Sequence, residues 1–108
     1  MDKYEFKLRS EEIDKLMENQ KYADAVRLAD TIDWKRVKSA TTLAKIAELY
    51  KINKRFDDCY RILEFAYDRN PSNRNVVYSL CEICIETGDI VEAIEYFKEY
   101  ASLAPRDP

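Results

Sequence analysis

The 108 residues contain no histidine, so the side chain most often used as a general base or metal ligand is missing. One glycine and three prolines leave little for β-hairpin turns, and no glycine-rich stretch could cradle a phosphate. Three cysteines do not make a disulfide framework. The uninterrupted apolar runs are only a few residues long, too short for a membrane-spanning helix. The N-terminal MDKYEFKLRSEE lacks the apolar centre of an export signal. Neither sign of charge dominates: 18 Lys and Arg stand against 21 Asp and Glu, for a net charge of −3, with no basic cluster of the kind that binds nucleic acid. These absences predict no nucleic-acid partner, no membrane partner and no cofactor. They also predict a reducing, cytoplasmic setting in which the thiols stay free.

What is present is helical. The composition is 46% hydrophobic and 36% charged, and the apolar residues recur at helical spacing. In ETGDIVEAIEYFKEYASLAP, Glu86 to Pro105, a helix ending at Thr87 meets Gly88, which can close it in the left-handed conformation. Asp89 can cap a second helix whose apolar residues Ile90, Ala93, Ile94, Phe97 and Ala101 keep a helical period. Pro105 ends it. The same hairpin recurs upstream: Ala25, Cys59 and Ala93 are 34 residues apart, as are Tyr22, Phe56 and Ile90, and Pro71 and Pro105. Three such units, about 6–39, 40–73 and 74–107, fill the chain as one domain.

In chain order, Tyr4, Phe6 and Leu8 alternate with charged neighbours, which predicts an extended lead-in over residues 1–9. Ser10 is the expected cap of a first helix with Ile13, Leu16 and Met17 on its stripe, and a second runs from Tyr22 to Ile32. Asp33 is expected to cap a turn that holds Trp34 and Val37 against the hairpin. Ser39 is the predicted cap of a helix over 40–52, whose stripe is Leu43, Ile46, Ala47 and Tyr50. Its partner, 56–69, buries Phe56, Cys59, Leu63 and Ala66. The turn Asn70-Pro71-Ser72-Asn73 leads to a helix over 74–87 that buries Val77, Leu80, Cys81 and Cys84.

These residues resemble the tetratricopeptide repeat family. The third unit is similar to the consensus at Leu80, Gly88, Ala93, Phe97 and Pro105; the second at Ile46, Ala47, Tyr50, Ala66 and Pro71, with Cys59 in place of the usual alanine. The first departs most, with Arg9 and Glu12 at positions usually apolar and Val37 in place of proline. The stretch Ile32 to Val37 also resembles the start of larger bacterial tetratricopeptide proteins of undefined function. The resemblance implies an all-α fold, three helix-turn-helix repeats stacked as a right-handed solenoid, with the first helix of each unit lining a concave side. It implies a non-catalytic module that binds a peptide or protein segment there. The residues carried over to that surface are Glu11, Asp14, Glu18, Lys45, Glu48, Asn75, Tyr78, Glu82 and Glu86. Their acid excess implies a basic or amphipathic partner. The lysine, asparagine and arginine clamp by which some relatives grip a C-terminal carboxylate has no counterpart, since Ser10, Asp14, Lys45, Asn75 and Ser79 stand there.

Two alternatives are weighed beside that reading. The last hairpin is expected to leave Ile90, Ile94, Phe97 and Ala101 uncovered. The chain would then be a scaffold segment, the N-terminal part of a longer array, that stacks on further repeats or pairs with a second copy as a homodimer. Cys81-x-x-Cys84 has the look of a redox pair, but it lies mid-helix on the apolar stripe, where cysteine behaves as a small hydrophobe. Two sulfurs without histidine also make a poor zinc site.

Overall fold

Three helical hairpins stack in chain order in the structure, a computed structural model that describes residues 1–103. Helices α1 (Lys3–Glu18) and α2 (Tyr22–Ala29) form the first; α3 (Ala40–Ile52) and α4 (Phe56–Arg69) form the second; α5 (Arg74–Glu86) and α6 (Ile90–Ser102) form the third. A 3-10 turn at Trp34–Arg36 joins the first two, and no strand occurs among the described residues. The expected turn at Pro105 lies outside the described residues.

Each hairpin closes by the same backbone device. Gln20, Lys54 and Gly88, 34 residues apart, take φ of 60°, 60° and 81°. The amide of the next residue (Lys21, Arg55 or Asp89) donates to the carbonyl of Leu16, Tyr50 or Cys84 at 2.8, 2.9 and 2.8 Å. The amides of Gln20, Lys54 and Gly88 donate to Met17, Lys51 and Ile85. This double bond pattern is the Schellman closure, which satisfies carbonyls that a helix end otherwise leaves bare. The residue that completes it is already the N-cap of the following helix, and this explains why Asp89 does not cap as expected. Its ψ of 69° falls short of the extended conformation in which Asp2, Ser39 and Asn73 (ψ 174°, 111° and 105°) do accept first-turn amides.

The N-terminal segment corrects two expectations. Residues 3–9 are helical, not extended, and Asp2 rather than Ser10 is the cap, with its carboxylate accepting the Glu5 amide at 2.8 Å. The alternation of Tyr4, Phe6 and Leu8 was too short to signal a strand, because only Phe6 turns inward. Phe6 packs edge-on against Trp34 at 6.1 Å and continues the helical stripe of Ile13. Ser10 lies mid-helix with its buried hydroxyl unpartnered. Helix α2 stops at Ala29, three residues early. The indole N–H of Trp34 takes the Ala29 carbonyl at 2.9 Å, and the amides of Thr31 and Ile32 fall back to tighter three-residue bonds. Asp33 caps the 3-10 turn as expected, and it holds Trp34 2% exposed.

The apolar core runs through all three units. Ala25, Cys59 and Ala93 are buried, so the small residue of each second helix sits at a close helix contact. Sequence periodicity anticipated one buried stripe on α3 and α5; the structure buries two. Leu49 on α3, with Val76 and Ile83 on α5, joins the core beside the expected residues. A first helix packs against its own partner and also against the preceding hairpin, as α3 meets α4 and α2, and α5 meets α6 and α4. Val76, Leu80 and Ile83 carry the core of the first two units into the third, while Cys81, Cys84 and Ala93 form a smaller cluster with Tyr60 and Tyr96.

Polar bonds tie the units at their seams. The Tyr50 hydroxyl donates to Asp30 at 2.8 Å and Arg55 donates to the same carboxylate at 2.7 Å, linking the first hairpin to the second. Arg55 also pairs with Asp58 and lies over the Tyr50 ring. The bond from Arg55 holds the Asp30 carboxyl below its ordinary range; burial works against this and the Tyr50 hydroxyl adds to it.

Two predictions follow from these devices. A Cβ at Gly88 would meet nothing within 4 Å, so Gly88→Ala tests backbone conformation alone and should lose about 1 kcal/mol. Lys54→Gly should gain up to about 1 kcal/mol, because relief of the left-handed strain exceeds glycine's extra chain entropy. Urea midpoints would check both; a stabilised Gly88→Ala or a destabilised Lys54→Gly would refute the shared closure. The second concerns pH. Since the Asp30 pKa is lowered by folding, its contribution is present above the unfolded carboxylate value of about 3.9 and is lost as pH falls through the folded one. Asp30→Asn should therefore be less stable than the wild type at pH 7, with a gap that narrows at pH 3. A gap independent of pH would remove the carboxylate from this role.

Candidate functional site

Helices α1, α3 and α5 present the row of residues that the family resemblance carried over. Glu11, Glu18, Glu48, Asn75, Glu82 and Glu86 are exposed along these three helices. The structure brings two sets together. The Lys45 ammonium contacts the Asp14 carboxylate at 2.5 Å across α3 and α1. Glu48 and Glu82 edge one depression between α3 and α5, floored by Ala47, Cys59 and Leu63. Lys45 is thereby neutralised, while Glu11, Glu18, Glu48, Glu82 and Glu86 have no cation partner among the described residues. The resulting row is acidic, with Lys51 as a cation on the rim of the depression.

The depression is shallow. Its volume of about 10 Å³ is at the lower limit for one water molecule. A small molecule cannot sink into it.

Tyr78 stands apart from the row. It is 47% exposed, with its ring 5.2 Å from that of Tyr100 on α6, and the Arg74 guanidinium lies 4.1 Å over Tyr100. This places Tyr78 beside the last helix. Tyr50, Tyr60, Tyr67 and Tyr96 lie at seams between helices. Tyr60 and Tyr67 on α4 donate to Glu92 and Glu99 on α6, each at 2.5 Å, and Tyr67 meets Tyr96 edge-on. The bond to Glu99 and burial push the Tyr67 hydroxyl up to about 12.

The cysteines are buried and free. Burial raises all three thiols, to about 11 for Cys59 and Cys84, whereas a reactive cysteine needs a lowered value. The Cys81 thiol donates to the Ala93 carbonyl at 3.4 Å, inside the α5–α6 contact.

Two features escaped sequence reasoning. One is further exposed apolar surface in the last hairpin: besides Ile90, Ile94, Phe97 and Ala101, Ile85 at the end of α5 and Val91 on α6 are exposed. In the 34-residue register Ile85 corresponds to Lys51 of the second unit. The other is an open cleft of about 530 Å³ where the start of α1 faces the 31–39 segment, with Phe6, Ile32 and Val37 among Lys3, Arg36 and Lys38. It depends on the 3-10 turn, which no periodic signal announces.

The profile of the tetratricopeptide repeat family matches residues 52–108. Among curated proteins, none matches the chain. A point-mutant form of MamA is similar in fold, with a TM-score of 0.79 at 19% identity, over 93% of this chain and 73% of that one. The Yersinia enterocolitica type III secretion chaperone SycD, solved in complex with a peptide of the translocator YopD, is similar with a TM-score of 0.78 at 10% identity. That match covers 99% of this chain and 82% of SycD. No described helix is long and apolar enough to cross a membrane.

The cysteine placement yields a prediction. Cys81→Ala with Cys84→Ala should lower stability by about 1–3 kcal/mol through lost packing, and both thiols should resist a thiol reagent until urea unfolds the chain. Rapid labelling of the folded protein, or a disulfide between them, would contradict the packing role.

Proposed function

This chain belongs to the tetratricopeptide repeat family, and we propose that it is a non-catalytic protein-interaction module whose first helices receive a basic or amphipathic segment of a partner. The observation that carries this reading is the row of carboxylates on α1, α3 and α5. Five of them have no cation partner among the described residues, and the surface between them is too shallow for a small ligand. Opposite charge on a partner steers it to such a row and fixes its register. The peptide held by SycD gives the reading a precedent in a similar fold. The three free, buried cysteines accord with a reducing, cytoplasmic setting.

The exposed side of α6 favours a second reading, a scaffold that works through its last hairpin. The two readings use different residues and separate experimentally.

The test is a titration of a partner captured by the wild-type chain. Glu48→Lys with Glu82→Lys should weaken binding by about 1–2 kcal/mol, roughly tenfold, with helical content unchanged. Wild-type affinity should fall as salt rises. Equal binding by the double variant, or indifference to salt, would sink the acidic row as the site.

A further inference from the structure

The 34-residue register states what is missing from α6. Phe56, Tyr60 and Leu63 on α4 correspond to Ile90, Ile94 and Phe97 on α6. Leu63 is 2% exposed, because the Val76, Leu80 and Ile83 side of α5 joins the same core. Ile90, Ile94 and Phe97 are 53%, 50% and 58% exposed. The same face is thus made on α2, α4 and α6; α3 covers it on α2, α5 covers it on α4, and among the described residues it stays open on α6.

What covers it on α4 is an amphipathic helix with apolar side chains at i, i+4 and i+7. The chain's own copies do not supply this well. The counterparts of Leu80 and Ile83 on α1 are Glu12 and Lys15, so a second copy stacked head to tail would put two charges against the apolar face. Two copies meeting α6 to α6 would bring their acidic margins together. Glu82, Glu86 and Asp89 lie beside Ile85 and Ile90 and have no cation partner among the described residues.

We propose that Ile85, Ile90, Ile94 and Phe97 form a docking site for an amphipathic helix with a basic margin, contributed by a partner protein and seated on α6 as α5 is seated on α4. The apolar stripe supplies the contact area, and the carboxylates choose a cationic partner over an acidic one. The site rests on the reading of the chain as a protein-binding module, but its residues are distinct from Glu48 and the rest of the row on α1 and α3.

The probe is a synthetic peptide of the Arg74–Glu86 sequence with Cys81→Ala, Cys84→Ala, Glu82→Lys and Glu86→Lys, labelled for fluorescence anisotropy against the full chain. It should bind saturably, and at least tenfold more tightly than the same peptide keeping its two glutamates. Ile94→Glu and Phe97→Ser in the full chain should each weaken it at least tenfold with an unchanged circular dichroism spectrum. Both residues are exposed, so the variants should fold. Glu48→Lys should leave this binding unchanged, and loss there would move the peptide to the acidic row and overturn the assignment. Absence of binding, or undiminished binding to both flank variants, would overturn it too. So would a concentration-dependent dimer in sedimentation that Ile94→Glu dissociates, since a second copy would then be the occupant.

Discussion

Everything in this fold depends on a backbone reversal made three times with the same hydrogen bonds. At Gln20, Lys54 and Gly88 the chain enters the left-handed region, ties the next amide to the last turn of the helix behind it, and starts the next helix at once. A turn this short fixes the angle and the phase between paired helices. The residue five places beyond each reversal, Ala25, Cys59 or Ala93, is therefore buried every time. Only small side chains fit such a contact, because overfilling it forces off-rotamer packing. The period of 34 residues is the consequence.

Once the hairpins are made, stacking follows from their geometry. A first helix that packs on its own partner and on the preceding hairpin buries far more than one stripe, and α3 and α5 are accordingly the most buried helices in the chain. The polar side chains at these junctions are partnered across the seam. Asp30, Tyr50 and Arg55 join the first two hairpins, and the tyrosine-to-glutamate bonds from α4 to α6 join the last two. Such bonds contribute modestly to stability but penalise any slip in register, since a slip strands a half-buried hydroxyl.

The two outer surfaces differ in kind. Along α1, α3 and α5 lies a shallow acidic row, which in the proposed reading selects and orients a segment by charge. On the free side of α6 lies an apolar face whose twin on α4 is covered. Charge gives rate and specificity, and apolar area gives residence. In the proposed readings a module holding both engages a partner at two places; Glu82 and Glu86 border both, whereas Glu48 on α3 belongs to the first alone and Ile94 and Phe97 on α6 to the second.

The helix content, the hairpin boundaries from residue 39 onward and the 34-residue unit were determined by the sequence alone. These rest on local chemistry: Ser39 and Asn73 as caps, Gly88 as a terminator, and small residues at a constant interval. The second stripe of α5 and the early end of α2 were not legible, because Val76, Ile83 and the Ala29 carbonyl find their partners only when hairpins stack. The helix over residues 3–9 was obscured for the same reason, since Phe6 shows its helical phase only against Trp34. In the candidate surface, the sequence determined that carboxylates outnumber lysines, by resemblance to a known repeat. Tertiary structure decided that Asp14 neutralises Lys45, that Tyr78 turns to Tyr100, and which apolar face has no neighbour among the described residues. Those outcomes depend on distances between side chains from different hairpins, and no pattern along a single helix encodes them.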